Sequence, residues 1–473
     1  MITVDVPEFP RGFVLATRPV DVPASFEPGP LLPNFHVHPW LHVDTAGDTD
    51  QFVAILGTCV PISGTDDQPA ETLLGKLRES EGEFLRALDH YVGRHAIIYG
   101  TATAPRVVND ATGMRAVFYA ANGGVIASHA ILVEQARRSP AERSNMPYGY
   151  GYPGNHTPFP NTRLLIPNTL LEVDSATVRR FWPPHALAVR TVDDVAEMAL
   201  GAAVNALRGI AKGRTVRLAL TAGLDSRTMF AVALQSGISF DTYTYGIGPD
   251  TAMDRAFAAD FAQRFDVTHT LPPRVPVSLA IREQMDLAHY AMHHKLAVPT
   301  LMEFFDDPSA IAVTANLLEI GRSFYTGARR AGAPSPTTAE AMFRLHSIRR
   351  GNRRWKLVEE YGVDEFEAAS IAAFQSFIDD SELANVEGLL DPFDHFYWEH
   401  RMATWHGAAM VERDFYAEPF IPFNSRSIFE AMLGIPQELR DTSAVFHRMI
   451  EMVNPALLEM PINPKTWPPV AAQ

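Results

Sequence analysis

The sequence predicts a strand-rich layered domain over residues 1–185, followed over residues 186–473 by an α/β domain with a parallel sheet and a helical C-terminal part. Three observations predict it. Short β-rich runs recur about every ten residues before Trp182-Pro-Pro. A strand, a helix and a second strand then follow within about 30 residues, the spacing of a βαβ unit. From Thr338 to Glu451 the pattern is mostly helical. A chain of 473 residues fits two or three domains of roughly 150 each and buries enough surface to fold without staples.

In the first part, Ala96–Tyr99, Arg106–Val108, Ala116–Ala120 and Val125–Ala127 read as strands. Asp110-Ala-Thr-Gly113 and Asn122-Gly-Gly124 supply the turns, and the even spacing implies a meander or sandwich. The chain is loop-rich from Tyr148 to Pro183, apart from one more strand at Leu170–Val173. Beyond it, Asp193 is placed to cap a helix whose apolar positions are Val195, Ala199, Ala202, Ala206 and Ile210. Val216–Leu220 is a strand, a helix runs from about Ser226 to a stop at Gly237, and Phe240–Tyr245 is the next strand. Ala310–Thr314 reads as a further buried strand.

Composition excludes several functions. Acidic groups number 55 against 40 basic, a net charge of −15, which argues against a general nucleic-acid binder. Cys59 is the one cysteine, so there is no internal disulfide framework and no multi-thiolate metal site. No apolar run reaches the ~20 residues that span a bilayer, and the start lacks the basic and apolar regions of a signal peptide. The expectation is a cytoplasmic protein without a membrane partner.

Gly149-Tyr-Gly-Tyr-Pro-Gly154 fits the dinucleotide pattern literally, but Pro153, Pro158 and Pro160 forbid the helix that must follow. His289 and His293, with His294 beside them, have the spacing of two zinc ligands on one helix face; lacking a third ligand, they read as packing or capping residues. The informative segment is Leu218-Ala-Leu-Thr-Ala-Gly-Leu-Asp-Ser-Arg227, a buried strand turning through small residues into a helix. Such a turn bares backbone N–H groups beside the positive helix end, so it suits phosphates. Thr221 and Ser226 can donate hydroxyls, whereas Asp225 beside a polyphosphate makes sense only with Mg²⁺. A plain strand-to-helix turn with Asp225 as the cap explains the same residues.

The segment resembles the pyrophosphate loop of N-type ATP pyrophosphatases, closest in the asparagine synthetase and β-lactam synthetase group, where Leu-Asp-Ser-Arg is a common continuation. Val107 to Tyr119, then Val125 to Ser128, resembles the Asp-x-x-Gly strand pair of the class II glutaminase domain that precedes the ATP-using domain in that group. The resemblance implies an α+β, Ntn-type N-terminal domain over 1–185 and an ATP pyrophosphatase domain over 186–473. It implies ATP contacts at Ala219, Thr221, Ala222, Gly223, Leu224, Asp225, Ser226, Arg227, Tyr245, Thr314 and Ala315. Asp225 and Glu319 become Mg²⁺ ligands, and Glu319, Arg401 and Lys465 the catalytic candidates.

The sequence departs from the pattern at named places. A class II glutaminase has a cysteine nucleophile where Ile2 stands, and an alkyl side chain cannot replace it. Ala222 replaces the loop's first glycine, at about 1–2 kcal/mol if the backbone there is left-handed. The second motif survives as Thr314-Ala-Asn-Leu-Leu-Glu319 without its glycines; Asn316 stands where the family has a catalytic Glu or Tyr, and asparagine is no general base. Arg344 to Lys356 carries six basic residues and no acid, the pattern of a solvated helix face or of a dock for an acidic substrate or carrier. Asn424-Ser425 reads as packing and capping.

The expectation is an ATP-dependent, AMP-forming carbon–nitrogen ligase that adenylates a carboxylate and lets an amine of a small molecule or peptide attack, as β-lactam synthetase and the lasso-peptide cyclases do. Two alternatives stay open: an amidotransferase using free ammonia or a partner glutaminase, and a degenerate nucleotide-binding or scaffold protein. A homodimer and a carrier or precursor peptide are the protein partners compatible with the reading.

Overall fold

Alternation along a single strand organises the N-terminal part. In Phe52–Pro61 successive side chains point to opposite faces. Phe52, Ala54 and Leu56 enter one core with Phe13, Leu15, Phe35 and Ile126. Val53, Ile55 and Cys59 enter another with Leu73, Leu74 and Phe84 of the helices Pro69–Glu79 and Glu81–Ala87. Both faces are therefore covered. The structure, a computed structural model, describes residues 6–64, 66–137, 142–148, 151–246, 248, 251–290, 296–348 and 350–467.

Two six-stranded antiparallel sheets face each other across the first of these cores. One runs Thr162–Leu164, Phe118–Ala120, Val125–Ala127, Phe13–Ala16, Phe35–Val37, Glu27–Pro28. The other runs Thr177–Arg180, Thr169–Glu172, Ala104–Asn109, Tyr91–Thr101, Phe52–Pro61, Val43–Gly47. The outer face of the first sheet (Val14, Ala16, Phe118, Ala127) packs on the helices Ala130–Gln135 and Leu279–Ala288, in a core shared with Tyr243, Ala312 and Phe415 of the C-terminal part.

The C-terminal part is built on a five-stranded parallel sheet in the order His269–Thr270, Asp241–Tyr243, Val216–Ala219, Ile311–Val313, Glu418–Phe420. Leu218, Val313 and Phe420 are covered by the helices Val192–Ala211, Leu224–Ser236 and Ala444–Val453, giving an α/β layer structure. The molecule thus combines antiparallel sheets with a parallel one.

Several elements differ from the sequence reading. The cap of Val192–Ala211 is Thr191, whose hydroxyl accepts the Asp194 N–H at 3.2 Å; Asp193, in the first turn, pairs with Arg448 instead. The helix after the small-residue turn begins at Leu224 with Gly223 as its cap, so Asp225 lies inside the first turn. Glu418–Phe420 is a strand in a region that reads as helical. It holds only three residues, one of them Pro419, which the edge of a sheet tolerates.

Buried polar groups lock the two parts together. Arg94 forks onto Asp414 at 2.5 and 2.8 Å, and Arg180 onto Glu399 at 2.7 Å through both nitrogens. The Asp110 carboxylate gathers the N–H groups of His95, Thr112, Met114 and Arg115. Asn424 donates to Asp110 at 2.9 Å and accepts from Thr112 at 2.8 Å, so it serves in packing at this junction. Among the described residues no helix is long and apolar enough to cross a membrane.

Candidate active site

In an open parallel sheet, ligands bind beyond the carboxyl ends of the strands where strand order reverses. Here the order reverses between Val216–Ala219 and Ile311–Val313: the chain continues to one side of the first, then crosses to the second on its other side. The turns that follow these strands are 220–223 and 314–317, and a cleft of about 940 Å³ opens between them.

Ser226 closes the first turn upon itself. Its hydroxyl lies 3.0 Å from the Thr221 hydroxyl, 3.0 Å from the Thr221 carbonyl and 3.2 Å from the Thr221 N–H. Asp254 takes the Ala222 N–H at 2.9 Å, and Asn463 donates its N–H to the Ala222 carbonyl at 3.0 Å. Ala222 is absent from the left-handed residues, so the alanine carries no backbone strain, and its methyl is buried. The N–H groups of Leu224, Asp225 and Ser226 belong to the first turn of a helix and have no intrahelical partner. Together they form a donor cradle at the positive end of the Leu224–Ser236 dipole.

Two carboxylates meet beside this cradle. Arg322 donates to Asp225 Oδ2 at 2.6 Å and stands 3.7 Å from Glu319 Oε1, while Tyr397 donates its hydroxyl to Glu319 Oε2. Burial pushes the Asp225 carboxyl up to about 7; Arg322 pulls against it, and the Glu319 charge adds to the rise. Asp225 Oδ1 is buried with no hydrogen-bond partner. A hard cation at a phosphate site is bound through one or two carboxylates plus the phosphates themselves, so a partnerless oxygen next to a second carboxylate fits Mg²⁺. Among the described residues no cluster of three His, Cys, Asp or Glu could hold a metal without such a ligand.

The remaining walls come from Ala219, Tyr243, Tyr245, Thr314, Ala315, Asn316 and Arg413. Three polar atoms of these residues are buried without partners: Tyr243 Oη, Thr314 Oγ1 and Arg413 Nη1. Sequence reading missed Tyr243, Asp254, Arg322 and Arg413. Arg322 alone had a signal, since it follows Glu319 by three residues and so falls on the same helical face.

Other expected residues lie elsewhere. Ala222 does not line the cleft. Arg227 turns away from it and donates to the carbonyls of Leu457, Met460 and Pro461, tying the C-terminal segment down. Lys465 is exposed, two residues beyond Asn463 at the cleft rim. Arg401 stands beside the Phe324 and Trp405 rings, outside the cleft wall. His289 is buried against Glu412 at 3.0 Å; His293 and His294, like Ile2 and Gly149, lie outside the described residues. Cys59 is buried, and burial holds its thiol well above the ordinary range. A second cleft of about 860 Å³ lies where Thr58 meets Glu418; of its cations, Arg11 pairs with Glu418 and Lys212 with Asp67, while Arg214 donates to the Ser309 carbonyl.

No family model matches this chain, and no curated protein matches it. Solved structures show slight likenesses. Glutamine-dependent NAD+ synthetase from Acinetobacter baumannii, in complex with ADP, is 15% identical over 32% of this chain and 24% of its own, with a TM-score of 0.17. Glutamine PRPP amidotransferase from B. subtilis, complexed with ADP and GMP, is 14% identical over 59% of this chain and 57% of its own, with a TM-score of 0.20. An allosteric regulatory enzyme of purine biosynthesis is 14% identical over 62% and 59%, with a TM-score of 0.22. The chain thus covers less than two thirds of the length of each, and likenesses this slight carry no argument about fold or activity.

Proposed function

We propose that this protein is an ATP-dependent synthetase that adenylates a carboxylate and joins it to an amine. What supports the reading is the pairing of Asp225 and Glu319 beside a helix-end cradle at the reversal point of the sheet. A carboxylate oxygen of the substrate attacks the α-phosphorus of ATP, the α–β bridging bond breaks, and pyrophosphate leaves. The amine then attacks the acyl carbon, AMP departs, and the amine's proton passes to a base. The free N–H groups of Leu224, Asp225 and Ser226 and the hydroxyl of Thr221 receive the pyrophosphate charge. Asp225 and Glu319 would hold Mg²⁺, which supplies charge neutralisation on the phosphates. Binding amine and acyl group side by side supplies much of the second step by proximity.

Ala222 lacks a left-handed backbone, so its presence gives no support to a degenerate, non-catalytic reading. The amine is taken to come from the substrate and not from glutamine, because the only thiol is buried within a strand. The test is release of pyrophosphate and AMP from ATP when carboxylic acids and amines are supplied with Mg²⁺. Formation of ADP and phosphate instead would remove the adenylation mechanism. Turnover with ammonium alone would replace the organic amine by ammonia.

A further inference from the structure

We propose that Arg413, with the hydroxyls of Thr314 and Tyr243, holds the α-phosphate of ATP. The cleft then carries two donor sets: residues 221–226 for the departing pyrophosphate, and Arg413 for the phosphate that stays with the adenosine. This second set rests on the synthetase reading of the same cleft.

Arg413 belongs to Met410–Phe415, a 3-10 helix in which all six residues are buried. Its chain neighbours are locked: Glu412 stands 3.0 Å from His289, and Asp414 takes the fork of Arg94. The guanidinium is therefore carried on a fixed stretch of backbone. Of the arginines lining the cleft, Arg322 holds Asp225, whereas Arg413 has no carboxylate at ion-pair distance among the described residues. One of its nitrogens reaches Asn316 at only 3.4 Å, and the other, Nη1, is buried with no partner. A guanidinium stays charged at any working pH, so burying it without an anion is costly. An anion that enters the cleft removes that cost and gains a charge-assisted hydrogen bond.

Two hydroxyls of the same wall are also buried without partners, Tyr243 Oη and Thr314 Oγ1. Burial holds the Tyr243 phenol well above its ordinary range, so it keeps its proton and stays a donor. Strand register sets where they stand. Ala219 pairs with Tyr243, and Leu218 with Val313, so Tyr243 and Thr314 flank Ala219 on its two neighbouring strands. Ala219 comes two residues, roughly 7 Å of strand, before Thr221, where the pyrophosphate cradle starts. With the β- and γ-phosphates in that cradle, the α-phosphate falls between Thr221 and these donors. Three donors from separate elements suit a tetrahedral phosphate, whereas a planar carboxylate takes two parallel bonds from one guanidinium. As the substrate oxygen bonds to the α-phosphorus, the α–β bridging oxygen leaves with the bond pair into pyrophosphate. Arg413 keeps all its protons and offsets the charge on the α-phosphoryl oxygens.

The test is calorimetric titration of the full chain with adenosine, AMP, Mg²⁺·pyrophosphate and Mg²⁺·ATP. AMP is expected to bind at least about tenfold more tightly than adenosine. Arg413→Gln should erase most of that difference while changing the affinities for adenosine and pyrophosphate by less than about twofold. Arg413→Lys should restore it in part, since an ammonium keeps the charge but not the fork. Thr314→Val should weaken AMP alone, by about threefold. Thermal melts check that the variants fold, and where Arg413→Gln does not, Arg413→Lys and Thr314→Val carry the same comparison. AMP binding no better than adenosine, a preference that survives in the variants, or an equal loss of adenosine would each overturn the α-phosphate site. Failure of the wild-type chain to bind Mg²⁺·ATP would instead remove the synthetase reading itself.

Discussion

Arg322 and Asp225 form an ion pair of 2.6 Å at the mouth of the cleft, and the same guanidinium stands 3.7 Å from Glu319. An internal cation therefore lies between the two carboxylates proposed to hold a metal. A divalent ion that takes both must displace it, and phosphates would then offer the freed guanidinium a new partner. In Arg322→Ala, Mn²⁺ should bind more tightly than in the wild type when no nucleotide is present, as read by electron paramagnetic resonance. ATP turnover should fall at the same time. Unchanged Mn²⁺ binding would show that the arginine does not compete for the site.

Asp225→Asn and Glu319→Gln should each lower pyrophosphate release by roughly 10²–10³-fold, the scale of losing one preorganised contact to developing charge. Because both act through one ion, the double variant should be little worse than either single one. Additive losses would mean that the two carboxylates serve separate purposes.

The raised Asp225 pKa sets a pH dependence. The carboxyl sits at about 7 in the folded chain against an ordinary 3.8, so the folded state holds its proton more tightly than the unfolded one. This group's contribution to stability is therefore greatest at low pH and is lost as pH rises between those values. Mg²⁺·ATP needs the ionised form. Its affinity should rise by roughly one log unit per pH unit up to about pH 7 and then level off. Calorimetry across that range checks the slope, and Asp225→Asn should abolish it.

Glutamine should not be a nitrogen source. A thiol nucleophile in this chain would have to be Cys59, which is buried in Phe52–Pro61 with its thiol held well above the ordinary range. Purified protein should release no glutamate from glutamine, with or without ATP, by a coupled dehydrogenase assay. Glutamate release that vanished in Cys59→Ala would contradict this.

The junction between the two parts should behave as core. Asp414 is buried between Arg94 and Arg115, and Asp414→Asn should cost about 3–5 kcal/mol in denaturant unfolding, the range for breaking a buried pair. Glu399, despite the burial that opposes its charge, is held far below the usual carboxylate range by Arg180 and His395. Limited proteolysis near residue 185 should accordingly fail to yield two stable fragments. Clean separation of two folded pieces would refute a shared core.

By itself the sequence determined the local elements whose pattern is strong and the chemistry that adjacent residues share. The helix Val192–Ala211 shows its apolar face in the periodicity of Val195, Ala199, Ala202 and Ala206, and Gly237 ends the helix Leu224–Ser236 in a left-handed cap. The donor cradle at residues 221–226 was legible because a small-residue turn between a buried strand and a helix bares N–H groups at a positive helix end. Strands such as Phe13–Ala16 and Glu418–Phe420 were not legible. They are short and buried on every residue, so neither alternation nor turn chemistry marks them.

Only the tertiary structure decided which distant side chains meet. Asp225 and Glu319 are 94 positions apart, and parallel pairing of Val216–Ala219 with Ile311–Val313 is what sets them on one edge of the sheet. The same folding turned Arg227 from the loop to the carbonyls of Leu457 and Met460 and brought Arg413 into the cleft wall. It also set Asn424 against Asp110, some 314 positions away. Local sequence fixes which donors a turn presents. The register of strands paired across long stretches of chain, and the burial that follows from it, fix which charges stand beside them.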